Sequence, residues 1–130
     1  MILLDTHVMI WLLATPGRLS VRVQEAVLLA RIRGEKLVYS PVSLYEIVYA
    51  ARRNRLPLNS PVEDFIAALQ TKLEMVPLTA EIVVCAAGLP DTFHGDPMDR
   101  MITATAIVGD CMLITHDDRI RKANVCKAVW

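Results

Sequence analysis

The sequence predicts an α/β sandwich, a mostly parallel central sheet flanked by helices on both faces. Three observations carry that expectation. Short apolar runs of strand length recur along the chain: "MILL" (1–4), "KLVYS" (36–40), "LEMVPL" (73–78), "CMLIT" (111–115) and "VCKAVW" (125–130). Segments with helical spacing of apolar residues separate them. No internal repeat, low-complexity segment or linker interrupts the alternation, so residues 1–130 read as one domain.

The elements follow in order. "MILL" is a buried strand that ends at Asp5, and "THVMIWLLA" (6–14) is helical until Pro16-Gly17 breaks it. The next helix opens with Ser20 as its cap, sets Val23, Val27, Leu28 and Ala30 at helical spacing, and stops at Gly34. "KLVYS" is the second strand, ended by Pro41. "VSLYEIVYAARRN" (42–54) is a helix with Ser43 as cap and a basic C-terminus. After the loop "RLPLNSP" a helix covers 62–72, "LEMVPL" is the third strand, and a helix begins at Thr79. Asp96-Pro97 opens the helix that runs to about Val108. "CMLIT" is the fourth strand, a short basic helix or turn follows "HDDR", and "VCKAVW" forms a last edge strand.

Composition narrows the class. The chain is 54% hydrophobic, with a mean hydropathy of +0.38. Its longest uncharged apolar runs, such as "VMIWLLA" (8–14), fall far short of the roughly 20 residues of a membrane span. The start "MILLDTH" lacks a basic n-region and has an acid at position 5, so no signal peptide is expected and the reading is cytoplasmic, without membrane association. So apolar a chain of 130 residues has more to bury than one small core takes, which points to a homodimer, with the helix faces 23–30 and 62–69 as candidates. Cys85, Cys111 and Cys126 have no zinc-ligand spacing and read as inert thiols. Net charge is zero, so any nucleic-acid contact must come from local patches.

Several acids fall where a parallel sheet binds ligands, beyond the carboxyl ends of its strands. Asp5 closes the first strand, Asp117 follows the fourth, and Glu46 lies in the first turns of the helix after the second. In "HGDPMDR" (94–100), Asp96 and Asp99 sit three residues apart at the mouth of a nearly uncharged helix. Each acid also has a plain role: Asp5 and Asp96 as helix caps, Glu46 on a solvated face, Asp117-Asp118 as turn residues. A helix that precedes a strand is expected to start at the opposite edge, so only a tilted or short helix brings Asp99 to the others.

Taken together, "LLDTH", "SLYEI", "DPMDRMITATA" and "LITHDDRI" resemble the PIN-domain family, specifically the VapC-like ribonuclease toxins of bacterial toxin–antitoxin pairs, in the branch with a DPxDR motif. The resemblance spans essentially the whole chain in order and spacing. It implies a single PIN-like nuclease domain, a metal-dependent endoribonuclease, and partners in RNA, a cognate antitoxin and a second copy of the chain. By motif it assigns the metal and catalytic acids to Asp5, Glu46, Asp99 and Asp117, with Asp96 an additional acid at the same site.

The chemistry is consistent with those residue types. Phosphodiester hydrolysis needs an activated water, neutralised phosphate charge and a stabilised leaving oxygen, which one or two carboxylate-held Mg²⁺ or Mn²⁺ ions supply. Asp5 and Asp99 are then central ligands, with Glu46 and Asp117 acting through water. Thr6 and Thr115 are candidates for bonds to carboxylates or to RNA phosphate, and Arg100 for meeting the scissile phosphate or pairing with a neighbouring acid. His7, His94 and His116 read as outer-sphere or surface residues. The clusters "ARRNR" (Arg52, Arg53, Arg55) and "RIRK" (Arg119, Arg121, Lys122) suit either helix ends or phosphate. Two other readings stand beside this one. A non-catalytic PIN-like interaction module is disfavoured by the intact acids. A phosphatase with Asp5 as nucleophile wants a second Asp where His7 stands.

Overall fold

The computed structural model describes all of residues 1–130. Five strands form one sheet: β1 (Ile2–Leu4), β2 (Leu37–Tyr39), β3 (Glu74–Met75), β4 (Met112–Ile114) and β5 (Ala128–Val129). Their order is β3-β2-β1-β4-β5, and every neighbouring pair is parallel. The expected "mostly parallel" sheet is therefore parallel throughout, and its strands are only two or three residues long. Seven helices surround it: α1 (Thr6–Ala14), α2 (Val21–Arg33), α3 (Pro41–Arg52), α4 (Val62–Gln70), α5 (Ala80–Ala87), α6 (Pro97–Val108) and α7 (Asp118–Ala123). No helix is long and apolar enough to cross a membrane.

Successive strand side chains point to opposite faces, and each face has its own core. Ile2, Leu4, Leu37, Tyr39 and Ile114 meet Val8, Met9 and Trp11 of α1, Val23, Val27 and Ala30 of α2, Ile47 of α3, and Phe65 and Leu69 of α4. Leu3, Val38 and Leu113 meet Ile102 and Ala106 of α6, Ile120 of α7, and Leu89 and Phe93. Helix α5 packs on α6 through Ile82, Ala86 and Ala104. The periodic positions Val23, Val27, Phe65 and Leu69 thus belong to the protein's own core. Leu28, also named for its spacing, is exposed instead, together with Leu29, Val21 and Ile32 on α2 and Val83 and Val84 on α5.

Two expectations are corrected. Helix α3 begins at Pro41, whose fixed φ and missing N–H suit a first helical position, so Ser43 is not the cap; it lies buried inside the helix. Helix α6 needs no tilt to bring Asp99 to the other acids. A helix feeding a parallel strand runs antiparallel to it, and so starts at the carboxyl edge of the sheet. Gly109, just beyond α6, sits against Met1 at the amino edge, where an added Cβ would lie 3.0 Å from Met1 Cε. Asp99, at the other end of that helix, lies with Asp117. The α2 stop is as expected: Gly34 takes a left-handed φ of 67° and its N–H donates to Ala30 and Arg31 carbonyls.

Candidate metal centre

The chain moves from β1 to β2 and β3 on one side, then returns to β4 and β5 on the other. The reversal falls between β1 and β4, and open α/β sheets bind ligands outside the carboxyl ends at such a point. Asp5 leaves β1 there and Thr115 leaves β4. An open cleft of about 840 Å³ lies over them, lined among others by Asp5, Glu46, Asp96, Asp99, Asp117 and Arg119.

Each acid is held by its local structure. Asp5 caps α1: Oδ1 accepts from the Thr6 N–H at 2.7 Å, while Oδ2 accepts from the Thr115 hydroxyl at 2.6 Å. The Thr6 hydroxyl donates to Glu46 Oε1 at 2.5 Å and lies 2.9 Å from Ser43 Oγ. Asp96 caps α6, its Oδ1 accepting from the N–H groups of Met98 and Asp99. Asp99, one turn in, sits 2.7 Å from His94 Nε2. Asp117 caps α7 and is gripped by the Arg119 guanidinium at 2.7 Å, which also lies 3.6 Å from Asp99.

Burial among like charges disturbs these carboxyls. Glu46 is pushed up to about 7, by burial first and then by the charges of Asp5, Asp99 and Asp96, against the Thr6 bond. Burial also raises Asp5 and Asp99, opposed by Thr115 and Thr6 for the first and by His94 for the second. Asp117 is lowered, because Arg119 bonds its charged form.

The tightest grouping is His94, Asp99 and Asp117, whose ligand atoms lie within 4.8 Å of one another. Asp5 and Glu46 line the same cleft outside that trio. Hard carboxylate oxygens crowded in one pocket, with the charged forms of Asp5, Glu46 and Asp99 destabilised by burial and repulsion, fit a divalent cation.

Of the two partners expected for Thr6 and Thr115, the structure shows the carboxylates: both threonines are buried, and their hydroxyls donate to Glu46 and Asp5. Arg100 turns away from the cleft and donates to the carbonyls of Ala86, Leu89, Phe93 and His94. The arginine that meets the acids is Arg119, whose side chain is 63% exposed. His94, expected as an outer-sphere or surface residue, lies within bonding distance of Asp99, and its loop position five residues earlier was the available signal. Ser43 was readable too, since residues 43 and 46 share a helix face. Of the other basic residues, Arg55 lines the cleft, Arg52 pairs with Glu63, Arg53 covers the Tyr49 ring and Arg121 pairs with Asp118.

Fold and site together define a parallel α/β domain with an acidic pocket at its topological switch point. Residues 2–125 match the model of the PIN domain, and the chain belongs to the PIN-domain family, among its VapC-like members. It is 36% identical over 120 residues to Ribonuclease VapC22 of Mycobacterium tuberculosis, covering 92% of this chain and 89% of that protein. Among solved structures it resembles VapBC2 from Rickettsia felis bound to a DNA fragment from their promoter, with TM-score 0.75, 16% identity, and 99% and 98% of the two chains covered. DNA-bound VapBC from Salmonella typhimurium is similar at TM-score 0.71 and 16% identity, over 98% of this chain and 96% of that one. At such identities the structural likeness shows the shared fold.

Proposed function

We propose that this chain is a metal-dependent endoribonuclease, the toxin component of a type II toxin–antitoxin pair, acting in the cytoplasm with residues 1–130 as one nuclease domain. The single observation that carries the reading is the gathering of Asp5, Glu46, Asp99 and Asp117, from four separate parts of the chain, over one cleft. Its relative is named a ribonuclease, and its structural neighbours are VapBC complexes, which supports an antitoxin partner.

Asp5 and Asp99 hold the cation, with Glu46, Asp117 and Asp96 around it; Mg²⁺ or Mn²⁺ suits this oxygen-rich set. When bound, the cation neutralises phosphate charge and lowers the pKa of an attacking water. The protein's own residues supply the geometry. Thr115 and the Thr6 N–H fix both oxygens of Asp5, the Thr6 hydroxyl fixes Glu46, and His94 fixes Asp99. Glu46, held by Thr6 on the wall of the same cleft, is placed to accept a proton from the attacking water. Arg119 is exposed enough to leave Asp117 and meet a phosphate oxygen.

Cleavage mapping on total RNA decides the matter. The parent protein in Mg²⁺ is expected to cut at defined positions, and Asp99→Asn protein or added EDTA to abolish cutting. Full activity in EDTA would sink the metal mechanism. The homodimer is proposed from the exposed apolar side chains of α2 and α5, and light scattering that finds a 14.5 kDa monomer at micromolar concentration would refute it.

A further inference from the structure

Both tryptophans of the chain and two of its three histidines stand together beside the acid cleft. Trp11, His116 and Trp130 form a triangle of rings: centroids are 5.3 Å apart for Trp11–His116, 4.8 Å for His116–Trp130 and 5.4 Å for Trp11–Trp130. The planes are tilted by 63° to 78°, so no ring is covered by a parallel neighbour. The Arg18 guanidinium lies 4.6 Å over Trp11, and His7 is 5.8 Å from it. Trp11 is buried in the core, Trp130 is partly buried against it, and His116 is exposed. Trp11, His116, His7 and Arg18 line the same cleft as the acids, and His116 immediately precedes Asp117.

Core packing accounts for Trp11 but not for an exposed imidazole braced by two indoles at the lip of a polar cleft. Such a surface is rigid, presents the His116 ring with the edge of Trp130 behind it, and has cationic side chains beside it. That is the chemistry that binds an unpaired base and its phosphate. We propose that the Trp11–His116–Trp130 wall, through the exposed His116 ring, receives an unpaired nucleobase of the RNA next to the phosphate being cleaved. This rests on the ribonuclease reading and makes His116 its base-stacking contact. Arg18, over the indole and on the cleft, is positioned for the adjoining phosphate.

The two tryptophans make the protein its own reporter. The Asp99→Asn protein in Mg²⁺, which leaves RNA intact, is titrated with oligo(A) and oligo(U), then with the same strands annealed as a duplex. Single strands are expected to quench tryptophan emission and the duplex to leave it unchanged. Anisotropy of labelled oligo(U) then compares variants on that background. His116→Ala should weaken binding about tenfold or more, Trp130→Ala should weaken it as well, and His116→Phe should restore it, because stacking needs the ring and not the imidazole nitrogens. In the cleaving protein, His116→Ala should raise KM more than it lowers kcat. A merely structural cluster would lower the melting temperature of His116→Ala but leave its RNA affinity intact, and that result overturns the proposal. So does equal binding of duplex and single strand. If the parent cuts RNA and His116→Ala binds oligo(U) as tightly, the stacking wall fails and the nuclease stands. If the parent cuts no RNA yet single strands still quench, the nuclease reading fails and the wall stands.

Discussion

Glu46 ionises near pH 7 in the folded protein because its carboxyl is half-buried beside Asp5, Asp99 and Asp96, against an ordinary value of 4.5. Between those two values the folded chain keeps a proton that the unfolded chain has released, so stability falls as pH rises through that window. Asp5 and Asp99, also raised, act in the same direction. Metal-free protein is therefore expected to melt higher at pH 5 than at pH 8. Glu46 contributes about 1 kcal/mol of that difference after discounting for its partial exposure. Thermal scans of parent and Glu46→Gln check this, and a Glu46→Gln protein with the parent's slope would remove Glu46 as the cause. Asp99→Asn relieves the same repulsion, so it should melt at or above the parent temperature in EDTA while losing cleavage. His94→Ala frees the Asp99 carboxylate to rotate and should lower cleavage roughly 10–100-fold, as loss of a ligand-orienting bond does.

Arg100 shows how one side chain can shape an element. Its guanidinium gathers the carbonyls of Ala86, Leu89, Phe93 and His94, binding the end of α5 and the following loop to the first turn of α6. These bonds carry His94 to Asp99, so the arginine of the DPxDR motif acts on the pocket from behind. Arg100→Met leaves those carbonyls without their donor and should cost roughly 2–4 kcal/mol. Amide exchange over residues 86–94 should quicken with it; an unchanged melting curve and exchange pattern would falsify the staple. Helix positions were legible because capping chemistry and periodicity are local: Ser20, Thr79 and Asp96 each bond backbone N–H groups of their own first turn. Ser43 misled because a serine near a helix start has the same local signature whether it caps the backbone or faces a buried threonine.

At the scale of the whole molecule, the cleft joins residues that lie as much as 110 positions apart, as the Thr115–Asp5 bond does. A cation that binds only the folded arrangement should stabilise the entire fold, by about 2.7 kcal/mol at a hundredfold excess over its Kd. Calorimetry with and without Mg²⁺ or Mn²⁺ measures this. The gain should vanish in Asp5→Asn, and an equal gain in that variant would mean that the ion binds elsewhere.

The alternation of apolar runs with helical segments determined the α/β class by itself, and the four motif pieces determined the family, because both signals are written in residues near one another. Strand order, the placement of α6 against the sheet and the duties of the polar side chains were decided only in three dimensions. Thr6 and Arg100 adjoin motif acids and Thr115 stands two residues before Asp117, so sequence distance left the threonines open between carboxylate and phosphate and pointed Arg100 at phosphate or a neighbouring acid. Direction decided: two hydroxyls point into the carboxylates and the guanidinium points into a loop, because buried acceptors must find donors wherever the packing offers them. The wall of Trp11, His116 and Trp130 was equally invisible, since its members come from the first helix, the fourth strand's end and the last residue, and only the parallel pairing of β1, β4 and β5 brings them together.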